Sequence, residues 1–342
     1  MQWTVAIGID THKDRHVAVA LDRLGGQLDC FEAPATSAGY LALYRWAHEL
    51  GEPAFVLEGA GSYGAGLARF LQAAGCSVYE CERPKRSERR RGKNDLIDAL
   101  VVARRLLTGE RLGRPRGLSG PREDLRLLLL ERRSAIRART AIFNQLQVVL
   151  VTAPERLRSR LRGHCSEQLA RAAARLRPGQ AEQAVVRGVL RRLGRRVLSL
   201  DTELAELERE LETIVSTLVP ELLEECGVGP VCAAQLVVSS GDPSRMVSEA
   251  SFAALAGTSP VDASSGQQKR HRLNRGGDRQ LNRALHVISL SRVRYHAETA
   301  AYYQRLLASG KTTREARRCL KRMLARHLHR KLCSLPVLAL TT

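Results

Sequence analysis

The stretch VAIGIDTHKDRHVAVAL, residues 5–21, contains two short apolar runs separated by a polar segment. Residues 5–10 and 16–21 each have the length and composition of a buried β-strand, and the THKDR segment between them has the polarity of a turn. This pattern predicts a β-hairpin at the start of the chain.

Strand and helix signals continue to alternate as far as residue 81. Helical spacing covers residues 37–50 and 62–74, and strand-like apolar runs cover residues 54–58 and 77–81. This alternation predicts an α/β domain. From residue 83 the sequence is densely basic; we expect a helix from about Asn94, a connector with Gly and Pro over 108–121 and an Arg-rich helix over 123–151.

A regular apolar repeat follows at Leu190, Leu193, Val197, Leu200, Leu204, Leu207, Leu211, Ile214 and Leu218. Spacings of three and four residues over four heptads predict a coiled coil, which would serve dimerisation or a long hairpin with the helix at 123–151. A single amphipathic helix packed on its own domain is the alternative. Residues 222–239 resemble a helix-hairpin-helix, and a DNA contact and a plain helix-helix turn both fit them.

Composition points to a nucleic acid as the first partner to consider. The 342 residues, 44% of them hydrophobic, suffice for two domains, and 55 Lys and Arg residues against 35 acidic ones give a net charge of +20. A basic surface that only keeps the protein soluble is the alternative. The sequence has no long apolar run and no signal peptide, so we expect a cytoplasmic protein with no membrane partner. Its eight cysteines form no CxxC pairs, and we expect their thiols to be reduced.

Four carboxylates are candidate metal ligands. Asp10 ends the first strand, Glu58 ends a later one, and Asp95 and Asp98 lie one helical turn apart in KNDLIDA. In an RNase H-like fold the two strands are neighbours, and a helix across the sheet would add the other two acids. Such oxygen donors bind one or two Mg²⁺ ions, which polarise a phosphodiester. Taken singly, each acid also fits a surface cap or an ion-pair partner.

A glycine pattern offers a competing interpretation of the same region. Gly59, Gly61 and Gly64 match the dinucleotide-binding spacing after a strand and before a helix. However, Glu58 would place a carboxylate beside the pyrophosphate, and a simple dehydrogenase gives no role to the positive charge. We therefore favour the metal site.

A second group of candidate residues lies towards the C-terminus. Ser264 and Ser265 precede Gly266 in a loop of small residues, and the cations that follow are Lys269, Arg270, Arg272, Arg275, Arg279 and Arg283. A serine hydroxyl beside arginines can attack phosphorus while the guanidinium groups neutralise the developing charge. An ordinary turn followed by a phosphate-binding stretch is the alternative.

Five segments together resemble a known family. They are GIDTHKDRHVAVALD (8–22), VLEGAGSYG (56–64), RGKNDLIDA (91–99), FAALAGTSPVDASSG (252–266) and HRLNRGGDRQLNRAL (271–285). In this order they are similar to the DEDD transposases of bacterial insertion sequences, the IS110 family, whose members are guided by a bridge RNA. The resemblance runs from residue 5 to about residue 332.

The resemblance implies an α/β plus α architecture in three parts: a RuvC-like, RNase H-like DEDD domain over 1–120, an Arg-rich helix and coiled coil over 121–220, and a mainly helical transposase domain with a helix-hairpin-helix and a catalytic serine over 221–342. The acidic tetrad maps to Asp10, Glu58, Asp95 and Asp98, with Mg²⁺ as cofactor. The family's serine precedes a glycine, which selects Ser265, although Ser264 is adjacent.

The resemblance also implies an activity and its partners. Ser265 would form a covalent phosphoserine link to DNA, a homodimer would complete the site, and a structured guide RNA would select the sequences by base pairing. The expected function is therefore excision and insertion of an insertion sequence by a DNA recombinase. The alternatives are a junction-resolving nuclease that uses only the tetrad and water, and a non-catalytic nucleic-acid-binding protein.

Overall fold

A computed structural model describes residues 3–81, 94–109, 112–117, 119–177, 181–241, 248–262, 271–272, 274 and 276–335. The chain divides into two compact units, Met1–Leu118 and Ser119–Thr342. The expected boundaries at residues 120 and 220 stay predictions.

The first unit combines five strands and three helices. In chain order its elements are β1 (Val5–Thr11), β2 (Arg15–Leu21), β3 (Gln27–Pro34), α1 (Ser37–Glu49), β4 (Pro53–Glu58), α2 (Ala65–Ala73), β5 (Ser77–Cys81) and α3 (Asp95–Leu107). The sheet order is β3-β2-β1-β4-β5. β1, β2 and β3 pair antiparallel, and β4 runs parallel to both β1 and β5.

This topology agrees with the α/β prediction and is consistent with a RuvC-like domain. The predicted hairpin is confirmed, because β1 and β2 pair from Ala6↔Leu21 to Thr11↔His16. β3 is an additional strand that the sequence pattern does not indicate. It forms an edge of the sheet, and most of its residues are exposed, so it lacks the apolar alternation of a buried strand.

Helices cover both faces of the sheet. On one face, Ile7, Ile9, Phe55 and Leu57 pack in a core with α1 and α2. On the other face, smaller strand side chains pack against α3. Since successive strand residues point to opposite faces, the odd-numbered residues of β1 face α1 and α2, and the even-numbered residues face α3.

The second unit is mainly helical. Its elements are α4 (Pro121–Val151), α5 (Glu155–Leu161), α6 (Ser166–Ala174), α7 (Ala181–Leu218), α8 (Pro220–Leu223), α9 (Pro230–Ser240), α10 (Glu249–Leu255), β6 (Val261–Asp262), β7 (His271–Arg272), α11 (Arg279–Tyr295), α12 (Ala297–Ala308) and α13 (Thr313–Cys333). Within the described residues, no helix has both the length and the apolar character needed to cross a membrane.

The two long helices α4 and α7 form an antiparallel hairpin. Arg132 of α4 pairs with Glu208 of α7 at 2.6 Å. Further along α4, Arg139 pairs with Asp201, which comes earlier in α7. The buried members of the heptad repeat lie inside this unit, at Leu190, Leu193, Val197, Leu207 and Leu211. The repeat therefore contributes to the core of its own chain, as in the predicted hairpin with the helix at 123–151. A coiled-coil dimer stays a prediction.

The segment predicted as a helix-hairpin-helix consists of α8, a turn and α9. α8 has four residues, and Gly227 in the turn has a φ of 82°, which favours glycine. α9 is buried from Cys232 to Val237 in the core of the second unit. Most of α9 therefore stabilises the fold, and a DNA contact at the exposed Gly229 of the turn stays a prediction.

Candidate active site

The position of Asp10 follows from the alternation of β1. Ala6 packs with Ala99 and Ala103 of α3, and Gly8 lies directly against the backbone of the same helix. Two residues further on, Asp10 points to the same side of the sheet, at the carboxyl end of the strand. Its side chain is 8% exposed. β1 therefore delivers a nearly buried carboxylate to the space beside the start of α3.

The start of α3 brings two more carboxylates to this place. The Asn94 side chain caps the helix by accepting a hydrogen bond from the Leu96 amide at 3.1 Å. Asp95 and Asp98 follow in the first turn, and Asp98 is buried. Acidic side chains at a helix N-terminus are favoured by the helix dipole. The helix cap thus fixes where both acids stand relative to Asp10.

Glu58 is placed by the register of the sheet. β4 lies beside β1 with Ile9 opposite Leu57, so the next residues along the two parallel strands are Asp10 and Glu58. Val56 packs with Val102 of α3, and strand alternation directs Glu58 to the same side. The Thr11 hydroxyl donates to the Glu58 carbonyl at 2.7 Å and ties the two strand ends together.

The electrostatics of Asp10 reflect this crowding. Burial raises the pKa of the Asp10 carboxyl; His12 lowers it in part, and the neighbouring Asp98 and Asp95 carboxylates raise it further. Like charges at close range cost free energy that a bound cation would relieve. The donor set and its charge therefore fit a divalent metal ion.

His12 is a member of the cluster that the motif analysis missed. Its Nε2 lies 3.2 Å from Asp10 Oδ2 and 3.4 Å from Asp95 Oδ2, and the ligand atoms of these three residues all lie within 4.8 Å of one another. Arg15 also donates to Asp95, at 3.3 Å. The spacing of His12, two residues after Asp10 in an extended segment, is the signal that could have identified it.

The second group of candidate residues is described only in part. Ser264, Ser265, Lys269, Arg270 and Arg275 lie outside the described residues. Arg272 is exposed on β7, and Arg279 and Arg283 are exposed in the first turns of α11. Because Arg279 and Arg283 are four residues apart, they share one face of that helix.

The helix that carries these arginines is anchored by its neighbouring motif residues. Asp278 caps α11 by accepting from the Gln280 amide at 2.7 Å, and it also accepts from the Ser239 hydroxyl. Asn282 donates to the Ala256 carbonyl at 2.7 Å. Asp278 and Asn282 of the GGDRQLNRAL segment therefore position the helix, and Arg279 and Arg283 remain at the surface.

Comparison with known proteins identifies the family. A model of the DEDD transposases of IS110 matches residues 7–153, and a model described as "Transposase IS116/IS110/IS902 family" matches residues 220–304. Together these two matches cover more than half of the chain. The first contains all four predicted acids, and the second contains both candidate serines.

Three curated relatives come from insertion elements. The chain is 34% identical over 122 residues to the IS110 43.6 kDa protein of Streptomyces coelicolor, covering 34% of this chain and 30% of the relative. It is 26% identical over 292 residues to the IS900 42 kDa protein of Mycobacterium paratuberculosis, covering 72% of each. It is 28% identical over 312 residues to the IS116 44.8 kDa protein of Streptomyces clavuligerus, covering 77% of each.

These matches extend over both units and include the segments that carry the acidic cluster and the serine motif. They agree with the resemblance that the sequence motifs indicate. The chain belongs to the IS110 family of DEDD transposases.

Proposed function

We propose that this protein is a DNA recombinase that excises and inserts an insertion sequence, using a metal-binding acidic tetrad and a serine nucleophile. The observation that carries the proposal is the convergence of Asp10 with Asp95 and Asp98 at the carboxyl end of β1, beside the end of β4 that bears Glu58. The helix dipole of α3 favours Asp95 and Asp98, but the repulsion between them and the nearly buried Asp10 opposes folding, and a bound cation would relieve it.

Asp10, Glu58, Asp95 and Asp98 would hold the metal ion, and we propose Mg²⁺ as that ion. Oxygen donors are the ligands that Mg²⁺ prefers, and the ion would stabilise the attacking and leaving oxygens of a phosphodiester. The imidazole of His12 lies beside Asp10 and Asp95, and the guanidinium of Arg15 pairs with Asp95. The Gly8 contact and the Asn94 cap keep the acids in place.

Ser265 is the proposed nucleophile, with Ser264 as the neighbouring candidate. Its hydroxyl oxygen would attack a DNA phosphorus and lose its proton, while the bond from phosphorus to one deoxyribose oxygen breaks and that oxygen gains a proton. Attack by the hydroxyl of another strand would reverse the step and release the serine. Each step exchanges one phosphodiester for another, so no oxidant, reductant or nucleotide is consumed.

The proposed partners are DNA, a second copy of the chain and a structured guide RNA. The net charge of +20 supports a polyanionic partner, and the exposed Arg272, Arg279 and Arg283 offer phosphate contacts in the second unit. The guide RNA and the homodimer are proposed from family membership. In this arrangement base pairing between the guide RNA and the DNA selects the sequence. The protein contacts the nucleic-acid backbone and recognises the shape of the duplex.

The decisive experiment is cleavage of a DNA that carries the junction of the element, with Mg²⁺ and the RNA transcribed from its flank. Wild type is compared with Asp10→Asn, Ser264→Ala and Ser265→Ala, and denatured products are examined for protein-linked DNA. We expect a covalent adduct that Ser265→Ala abolishes and Ser264→Ala retains. Cleavage without an adduct, lost only in Asp10→Asn, would instead identify a junction-resolving nuclease. Tight binding without strand breakage would identify a non-catalytic binding protein.

A further inference from the structure

The second unit contains a cavity of about 810 Å³ whose walls are strongly cationic. Four segments form it: the turn at residues 257–260 after α10, strand β7, helix α12 and helix α13 with the loop before it. Its positively charged lining residues are Arg272, Lys311, Arg318, Lys321, Arg322 and Arg326. Five of them lie on α13 or in the loop before it, and the tertiary fold adds Arg272 of β7 to the same wall.

The charge in this cavity is poorly compensated. Glu315 is the one carboxylate among its described lining residues. It already takes part in the capping box of α13, where it accepts from the amide of the N-cap residue Thr312 at 2.9 Å. Arg326 also lies 3.6 Å from Glu249, a carboxylate outside the lining, and Arg318 lies 3.9 Å from Glu315. Six cations and these two carboxylates leave four positive charges around one concave space. A cavity of one sign of charge with low-dielectric walls concentrates the field and attracts anions.

Lys321 is the clearest sign of an anion site. It is half-buried, and its ammonium donates to the Asn282 Oδ1 at 2.8 Å, a neutral partner. Within the described part of the chain, no carboxylate lies within ion-pair distance of Lys321. Burial lowers the pKa of Lys321, and the nearby Arg318 lowers it further. A partly desolvated charge without a counter-ion costs stability that a bound anion would recover.

The cavity also adjoins the two short strands between which the serines occur in the sequence. Pro260 and Arg272 line it, and they lie next to or within the two short strands β6 and β7. These strands pair antiparallel, with Val261 opposite Arg272, and they bracket residues 263–270, which include Ser264 and Ser265. The strands that precede and follow residues 263–270 in the sequence therefore lie at the wall of the cationic cavity.

We propose that this cavity binds the phosphodiester backbone of the DNA strand on which the serine acts. The identity of the strand as DNA rests on the proposed function; the preference for phosphates rests on the charge of the cavity. Tyr302 and Met323 add apolar surface between the cations, which suits the sugars that alternate with phosphates along a strand. A guanidinium group can donate two parallel hydrogen bonds to one phosphate, so the lining arginines, with Arg318 and Arg322 on either side of Lys321 in the sequence, are the proposed phosphate ligands.

The test measures binding of the full-length protein to a labelled DNA oligonucleotide, and to RNA of the same sequence, by fluorescence anisotropy at several salt concentrations. The variants are Arg318→Gln and Lys321→Gln; glutamine keeps an amide donor for Asn282 in the second. Arg294→Gln is the matched control, because Arg294 is an exposed arginine of the same unit outside the cavity. Thermal melting establishes that each variant is folded.

We expect each cavity variant to weaken DNA binding about tenfold. The slope of log affinity against log salt concentration should fall by about the amount that one phosphate contact contributes. The control removes the same charge, and we expect it to change the affinity less than about threefold. The proposal is overturned if the cavity variants bind DNA as the control does. It is also overturned if they lose affinity for RNA and keep their affinity for DNA.

Binding is measured in EDTA and in an Asp10→Asn background, so that it is independent of strand cleavage. If the cavity variants lose DNA affinity while wild type forms no adduct and cuts no strand, the cavity proposal stands and the proposed function fails. If wild type cuts and links DNA and the cavity variants do so equally well, the proposed function stands and the cavity proposal fails.

Discussion

Gly8 in β1 lies so close to Ala103 in α3 that a Cβ on Gly8 would stand 2.2 Å from the Ala103 backbone nitrogen. The same Cβ would stand 2.2 Å from the Ala99 carbonyl oxygen. Both atoms belong to the helix backbone, so neither can rotate away as a side chain would. This contact sets the distance between α3 and the sheet, and with it the distance between Asp10 and the acids at the start of α3.

Gly8→Ala is therefore expected to destabilise the first unit by about 1–3 kcal/mol, the usual cost of overpacking a core. It should also weaken metal binding, because displacing α3 moves Asp95 and Asp98 away from Asp10. Denaturant unfolding and calorimetric titration with Mn²⁺ measure the two effects. Gly117→Ala is the control, since nothing lies within 4 Å of a Cβ built there. A Gly8→Ala variant as stable as this control would contradict the packing argument.

Asp10→Asn should separate stability from activity. Burial, together with the nearby carboxylates, raises the pKa of Asp10, so the folded protein holds this proton more tightly than the unfolded chain does. Stability without metal therefore falls as the pH rises from about 4, the ordinary value, through the raised pKa. We expect Asp10→Asn to be more stable than wild type at pH 7 in EDTA, and to lose at least about a hundredfold in strand cleavage.

Thermal melting of both proteins in EDTA between pH 4 and pH 8 checks the sign of this effect. The advantage of Asp10→Asn should be smallest at the acid end, where wild-type Asp10 carries the least negative charge, and should grow towards neutral pH. A variant that is less stable than wild type at pH 7 in EDTA would show that the Asp10 charge stabilises the fold.

His12 is expected to contribute to metal binding. Its imidazole lies 3.2 Å from Asp10 and 3.4 Å from Asp95, and imidazole suits Mn²⁺ better than it suits Mg²⁺. His12→Ala should lower the affinity for Mn²⁺ by about ten- to hundredfold and the affinity for Mg²⁺ less. Calorimetric titration with each metal measures this difference, and the exposed neighbour Lys13 provides the control Lys13→Ala. Equal losses for both metals would count against a ligand role.

An ion pair in the second unit should confer acid sensitivity. Arg292 of α11 donates to the Glu225 carboxylate and to the Cys226 carbonyl. The Arg292 side chain is 8% exposed and the Glu225 side chain is 15% exposed. Burial raises the pKa of Glu225, but His327 and Arg292 outweigh it and leave the pKa below its ordinary value. The pair therefore stabilises the fold above about pH 4.3, and this contribution is lost as the pH falls through the lowered pKa.

Glu225→Gln should cost about 3 kcal/mol at pH 7, because it leaves the buried Arg292 charge without its counter-ion. The variant should also lose part of the acid-induced destabilisation seen in wild type. Urea unfolding at pH 7 and pH 3 measures both effects, and Glu224→Gln at the exposed neighbouring residue is the control. If both substitutions cost the same, the ion pair does not stabilise the unit.

Most of the first unit could be predicted from the sequence because its signals are local. Alternation and apolar runs identify β1, β2, β4 and β5, and the asparagine before Asp95 marks the start of α3. β3 could not be identified in this way, since an exposed edge strand carries no apolar alternation. The one-turn spacing of Asp95 and Asp98 is also a local signal, so the sequence alone predicts that both acids lie on one face of α3.

The long helices show where a local pattern stops being decisive. The heptad repeat of α7 predicts a buried stripe, and residues such as Leu207 and Leu211 are indeed buried. The repeat does not say which surface covers that stripe. The pairing of Arg132 with Glu208 identifies α4 of the same chain as the neighbour.

The sequence by itself determined the family, the strand ends that carry Asp10 and Glu58, and the excess of positive charge. Only the tertiary structure decided that His12 joins the acids and that Arg272 shares a cavity with Lys321. The physical reason is that the periodicity of a sequence records which side of an element is buried. Which elements meet is decided by packing, such as the approach of α3 to Gly8, and that approach depends on residues far apart in the chain.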